Sequence, residues 1–171
     1  MTRIAIACPG PSLLYTYDHL SDDLTLAING AAALVPHDWW CVGDAVVLKW
    51  YPHAVPLQGV YTQDTWWSRY RPDLRVEHLH WDTLRCAPPH HGQPWDTTLP
   101  AAIALAAHLG ATHVDLYGCD WQGGDYAPGV LAYDGPADLR PNRWQTEQIQ
   151  AYRVAEACRL TLTRHLPKAA P

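Results

Sequence analysis

The sequence predicts an α/β domain built on a mostly parallel sheet. Three observations lead there. Short apolar, partly β-branched runs recur along the chain, each stops at a turn containing Gly, Asn or Asp, and helical patterns follow those turns. Strands that alternate with helices argue βαβ units, whose crossovers make the strands parallel. At 171 residues, the chain is long enough for one domain to build a core without disulfides or metal. We read residues 1–165 as that domain, with a lid loop over 121–141 and a flexible tail over 166–171.

The elements follow in order. Residues 3–8 form an apolar run that breaks at Pro9-Gly10-Pro11, which reads as a buried strand entering a loop. Ser12 suits the N-cap of a short helix over 12–17. A second run, 24–28, closes on Asn29-Gly30 and leads into a helical turn over 31–35. A third, 39–42, closes on Gly43-Asp44 and leads into a helical piece over 45–50. Weaker strands are predicted at 55–61 and 74–80, and a loop rich in Pro, His and Gly at 85–95. The clearest helix covers 99–109, with Thr98 as its N-cap, Pro100 in its first turn and Gly110 just past its end. A strand at 113–117 ends in Gly118-Cys119-Asp120. The Gly- and Pro-rich stretch 121–141 has no period and reads as the lid. A long helix over 142–158 and a short strand over 160–162 complete the pattern.

Composition narrows the function classes. Charged residues make up only 17% of the chain and aromatics 11%, the opposite of a disordered chain. The net charge is −5 and no Lys/Arg run occurs, which disfavours duplex nucleic acid as a partner. The N-terminal apolar run is too short for a signal segment, and no run is long enough to span a membrane. Five scattered cysteines form no C-x-x-C pair, so free thiols in a reducing, cytoplasmic setting are expected.

The chemistry-bearing residues collect at strand ends. Gly10, Pro11 and Ser12 follow the first strand, Asn29 the second, Asp44 the third and Asp120 the strand at 113–117, while Thr97 and Thr98 open the strongest helix. In a parallel sheet these points share the carboxyl edge, where ligands of such sheets bind. A helix N-terminus there offers N–H groups to phosphate, and Gly10 would let a phosphate approach the backbone. Asp44 and Asp120 together could hold Mg²⁺. His78, His80, His90 and His91 are metal or base candidates that more often face solvent. Trp39-Trp40 and Trp66-Trp67 are candidate stacking platforms that more often divide between core and surface. In the lid, Trp121, Tyr126 and Tyr133 would close over a ligand, with Arg140 and Arg143 reaching a phosphate.

Residues 4–13 (IAIACPGPSL), then Ala27-Ile28-Asn29-Gly30, then the helix from Leu99 leading to Tyr117-Gly118-Cys119-Asp120 resemble a known group. This is the MptE-like/DUF115 superfamily, with the related family 42 bacterial sialyltransferases and short phage-encoded relatives. The resemblance implies a Rossmann-like three-layer fold, with Gly10, Pro11 and Ser12 beside phosphates, Asn29 on the nucleotide or its sugar, and Asp44 and Asp120 lining the cleft. Such sialyltransferases use a CMP-sugar without metal, whereas MptE-like enzymes transfer pyrophosphate with Mg²⁺. The match departs at Cys8 and Pro9, which stand in place of the family's Gly and Asn, and at Asn142, which stands where the sialyltransferases carry a His base.

The leading expectation is a small transferase acting on a nucleotide-linked substrate, a sugar-nucleotide-dependent, glycosyltransferase-like protein. Asp120 is the first candidate for its proton acceptor and His91 the second, since an Asn side chain takes no proton near neutral pH. One alternative is an Mg²⁺-dependent pyrophosphokinase of the MptE type; another is a non-catalytic phage binding or assembly protein that keeps the fold. The cofactor stays open, with Mg²⁺ as the candidate. The expected partner is a nucleotide or sugar nucleotide, with room for a homo-oligomer.

Overall fold

The computed structural model describes residues 2–16, 24–62, 66–78, 98–121, 126–130 and 143–167. Within them seven strands form one sheet: β1 (Arg3–Ala7), β2 (Thr25–Ile28), β3 (Trp39–Val42), β4 (Gly59–Thr62), β5 (Val76–His78), β6 (His113–Tyr117) and β7 (Thr161–His165). Their order is β5-β4-β3-β2-β1-β6-β7 and every pairing is parallel. The strands expected at 3–8, 24–28, 39–42 and 113–117 thus lie side by side. β2, β3 and β4 are buried along their whole length, as strands covered on both faces must be.

Helices cover both faces. α1 (Leu13–Thr16) and α2 (Val46–Trp50) give Leu13, Val47 and Leu48 to a core with Ala5, Ala7, Ala27, Trp40, Val42 and Val60. α3 (Thr98–His108) and α4 (Arg143–Ala157) close the other face over Ile4, Ile6, Leu26, Val114 and Leu116. α3 packs against α4 as well as the sheet, so nearly all of it is buried. That position suits its Ala-rich sequence, because small side chains let three layers approach closely.

Element bounds shift for local reasons. The strand expected at 55–61 is β4, which begins only at Gly59, because Val55 and Leu57 point to solvent and Pro56 has no N–H for a ladder. The helical turn expected at 31–35 is a 3-10 helix over Asn29–Ala33. The last strand extends to His165 because β6 pairs with it along its full length. α3 begins at Thr98 itself, so this residue is the first of the helix rather than its cap.

The two long helices end alike. In α3, Gly110 adopts φ 89° and Ala111 N–H reaches the Ala106 carbonyl; in α4, Arg159 adopts φ 57° and Leu160 N–H reaches the Ala155 carbonyl. Both are left-handed C-terminal caps, but only one has the residue that adopts that conformation without steric cost. Arg159→Gly should therefore raise stability by about 0.5–1 kcal/mol, read as a higher urea midpoint at unchanged slope.

Among the described residues, two buried titratable groups are shifted in ways that make stability fall in acid. Burial pushes the His37 imidazole below its usual 6.5, and its Nδ1–H is donated to the Val35 carbonyl. Burial would raise the Asp115 carboxyl, but hydrogen bonds from His165 and Arg3 hold it below the usual carboxylate value. In both cases the unfolded chain binds the proton more readily, so stability is lost as pH falls. For His37 the loss begins near its ordinary value and proceeds downward; for Asp115 it comes in stronger acid. The urea midpoint should drop between about pH 7 and about pH 5, and His37→Gln should flatten that slope.

Candidate nucleotide-binding edge

The chain runs outward from β1 to β5, then returns to place β6 and β7 on β1's other side. The strand order therefore reverses between β1 and β6, and a sheet of this kind binds ligands outside the carboxyl ends at such a point. The loops after β1 and β6 meet there. Gly10 N–H donates to the Gly118 carbonyl at 3.0 Å, and Ser12 N–H to Asp120 Oδ2 at 2.9 Å.

This meeting gives Gly10 a role that the residue type alone did not reveal. A Cβ on Gly10 would run into the Gly118 carbonyl and the Asp120 carboxylate. The space read as phosphate clearance is occupied by the turn after β6. Gly118 is fixed twice, by φ 69° and by the Cys8 carbonyl and Leu13 Cβ against its own Cα. Cys8 and Cys119 hydrogen-bond through their thiols at the same crossing; burial, then Cys119, push the Cys8 thiol up, so it is no thiolate nucleophile at neutral pH.

Asn29 is held from three directions. Its backbone takes φ 46°, a left-handed conformation that Asn tolerates better than most side chains. Its carbonyl accepts from the fully buried Trp40 indole at 2.8 Å, and its Nδ2 donates to Thr98 Oγ1 at 3.3 Å. The Trp39-Trp40 pair thus serves the core, and Trp40 positions a site residue, which no local sequence signal announced. The structure brings Gly10, Ser12 and Asp120 together, and joins Asn29 to Thr98 at the same edge. Two buried polar atoms among these residues, Ser12 Oγ and Asn29 Oδ1, have no hydrogen-bond partner among the described residues.

Asp44 sits after β3, exposed, with Oδ1 accepting from Val46 N–H at 3.0 Å, which caps the start of α2. Asp120 is likewise engaged with Ser12. Among the described residues no group of three or more His, Cys, Asp or Glu could hold a metal ion. Asp44 and Asp120 each already accept from a backbone N–H of this chain. His78 accepts from the Trp67 indole. Thr97, His80, His90, His91, Tyr133 and Arg140 lie outside the described residues, as does the side chain of Arg143.

The described parts of the expected lid are fastened. Trp121 donates to Glu147 Oε1 at 3.1 Å, leans on Tyr152 and lies under the Arg164 guanidinium. Its ring is docked on α4 and β7. Residues 126–130 form a strap whose buried Ala127 donates to the Pro9 carbonyl at 2.8 Å and whose Val130 packs into the core beside Gly30. Tyr126 is half-buried at the start of that strap.

No family model matches the chain, and no curated protein matches it in sequence. Solved structures do match. The monofunctional alpha-2,3-sialyltransferase Cst-I from Campylobacter jejuni superposes with a TM-score of 0.67 at 15% identity, over 99% of this chain and 77% of that one. The fold is that of these sialyltransferases. CstII from the same organism, in complex with the substrate analogue CMP-3FNeuAc, gives 0.65 at 15% identity over 98% of this chain and 82% of its own. The sialyltransferase with trisaccharide acceptor and CMP gives 0.63 at 15% identity over 97% and 82%. The single parallel sheet with helices on both faces is common ground, and no helix among the described residues is long and apolar enough to cross a membrane.

Because the Gly118 backbone carbonyl, which cannot swing away, faces Gly10 alongside the Asp120 side chain, Gly10→Ala should cost about 1–3 kcal/mol, measured by urea denaturation. A Gly10→Ala variant as stable as wild type would remove the crossing of the two loops as the reason for this glycine.

Proposed function

We propose that this protein is a sugar-nucleotide-dependent, glycosyltransferase-like transferase whose donor is a CMP-linked sugar. The observation that carries this reading is the pair of buried, unpartnered polar atoms, Ser12 Oγ and Asn29 Oδ1, at the carboxyl edge where the strand order reverses. A buried polar group without a partner costs about 1–3 kcal/mol, which a hydrogen-bonding ligand recovers. Ser12 hydroxyl can donate or accept, and Asn29 offers an amide to a ribose, base or phosphate. The start of α3 at Thr98 lies beside Asn29, so the positive end of the helix faces the same edge. That neighbours in fold are seen with CMP or a CMP-sugar analogue supports CMP as the nucleotide. In such a transfer the protein's part is to hold the nucleotide phosphate on fixed dipoles while the sugar departs.

A second reading, a binding or assembly protein that keeps the fold, draws on one observation: Asp120 and Asp44 each satisfy a backbone N–H of this chain. CMP titration separates the two. CMP at a hundred times its Kd should add about 2.7 kcal/mol of stability, seen as a raised Tm. Ser12→Ala and Asn29→Gly should each weaken CMP binding roughly fivefold, about 1 kcal/mol. Asn29→Gly is the suitable variant because it keeps the left-handed backbone and the carbonyl that Trp40 holds. No Tm response to CMP would leave the binding-protein reading in place.

A further inference from the structure

On the face of the sheet opposite α3 and α4, β6 carries a carboxylate at its centre. Asp115 has a side-chain exposure of 1% and accepts from His165 Nε2 at 2.7 Å. Arg3 donates to both its oxygens, through Nε at 3.1 Å to Oδ2 and through Nη2 at 2.9 Å to Oδ1 and 2.7 Å to Oδ2. His113 Nε2 lies 3.4 Å from Oδ1 and meets the Thr163 hydroxyl at 3.1 Å. The His165 ring stacks on Tyr117 at 4.5 Å and 8°. With Arg3 saturating the carboxylate, this group is an ion-paired anchor rather than a metal centre.

The anchor fixes the tautomer of His165. A carboxylate only accepts, so Nε2 carries the proton and the lone pair sits on Nδ1. Among the described residues Nδ1 has no hydrogen-bond partner, and the side chain is 33% exposed. His165 ends β7 and pairs in register with Tyr117, so it stands at the carboxyl edge, one strand beyond the point where the order reverses. Its neighbour Arg164 donates to the Asp120 carbonyl, tying the end of β7 to the candidate site. A buried acid that orients an imidazole with its other nitrogen free is the arrangement a general base requires.

We propose that His165, oriented by Asp115, takes the proton from the acceptor hydroxyl in the transfer; this rests on the CMP-sugar reading above. The hydroxyl hydrogen passes to His165 Nδ1. The oxygen forms the new bond to the anomeric carbon, and the bond from that carbon to the phosphate oxygen breaks. Its electron pair leaves with CMP, and the imidazolium then returns the proton to solvent. The groups facing the ring are Asp115, Tyr117 and His113 on β6, Arg3 on β1 and Thr163 on β7; Arg164 and Glu147 lie on the α4 side of the sheet.

The test uses the full chain, ¹⁵N-histidine NMR, CMP and CMP-N-acetylneuraminate. The His165 signal, assigned by its absence in His165→Gln, should show the Nε2–H tautomer and move when CMP is added. His165→Gln should bind CMP as wild type does yet hydrolyse the sialyl donor about 10²–10³ times more slowly, with KM nearly unchanged. Added imidazole should restore part of the rate to His165→Ala, which a merely structural histidine would not allow. A wild type that binds no CMP overturns the donor reading and this assignment with it. CMP binding that leaves the His165 signal unmoved, or a His165→Gln rate within threefold of wild type, overturns the assignment alone. If wild type binds CMP without cleaving this donor, the NMR signal decides, and the Nδ1–H tautomer counts against the proposal.

Discussion

The candidate site depends on one crossing of two backbones. Where β1 and β6 end, Gly10 and Gly118 pass in contact, and neither position has room for a side chain. The approach lets Asp120 reach across to the Ser12 N–H. That bond holds the loop that turns into α1, and the same loop offers the Pro9 carbonyl to the strap at 126–130. Asn29 is placed independently, through Trp40 and Thr98. The edge is thus assembled from hydrogen bonds between loops on a sheet that sets their spacing, and the loops carry little structure of their own.

The second organising element is electrostatic. A buried carboxylate in the middle of a strand is stable only if it is paired and its oxygens are satisfied. Asp115 meets both conditions with residues from three strands: Arg3 on β1, His113 on its own strand and His165 on β7. The same group therefore joins a central strand to an edge strand and gives an imidazole at that edge a defined tautomer.

Much of the fold was legible in the sequence. Apolar runs that end in Gly, Asn or Asp marked β1, β2, β3 and β6, and Ala-rich residues between Thr98 and Gly110 marked α3. These signals are local. Where the outcome depended on a distant partner, the sequence carried less. The full length of β7 was hidden because only pairing with β6 extends it through Arg164 and His165. For the site, the strand-end rule located Gly10, Ser12, Asn29, Thr98 and Asp120, because parallel topology puts strand ends on one edge. It did not tell why Gly10 is glycine, since the obstructing carbonyl comes from residue 118. Trp121 reads as a lid residue from its loop, and its partners Glu147, Tyr152 and Arg164 come from α4 and β7. Asp115 and His165 drew no notice because alternate strand positions 50 residues apart give no motif.

The strand order also dictates a sequence of events during synthesis. β1 lies between β2 and β6, yet Arg3 finds Asp115 only 112 residues later. As the chain emerges from the ribosome, β1 through β5 can form five of the seven strands, leaving β1 as an open edge. The apolar residues Ile4 and Ile6 then wait uncovered until α3, β6 and α4 arrive. Contacts this far apart slow folding, and an unpaired apolar edge invites association with other chains. The nascent protein is therefore most vulnerable while its first strand is complete and its seventh has not yet been made.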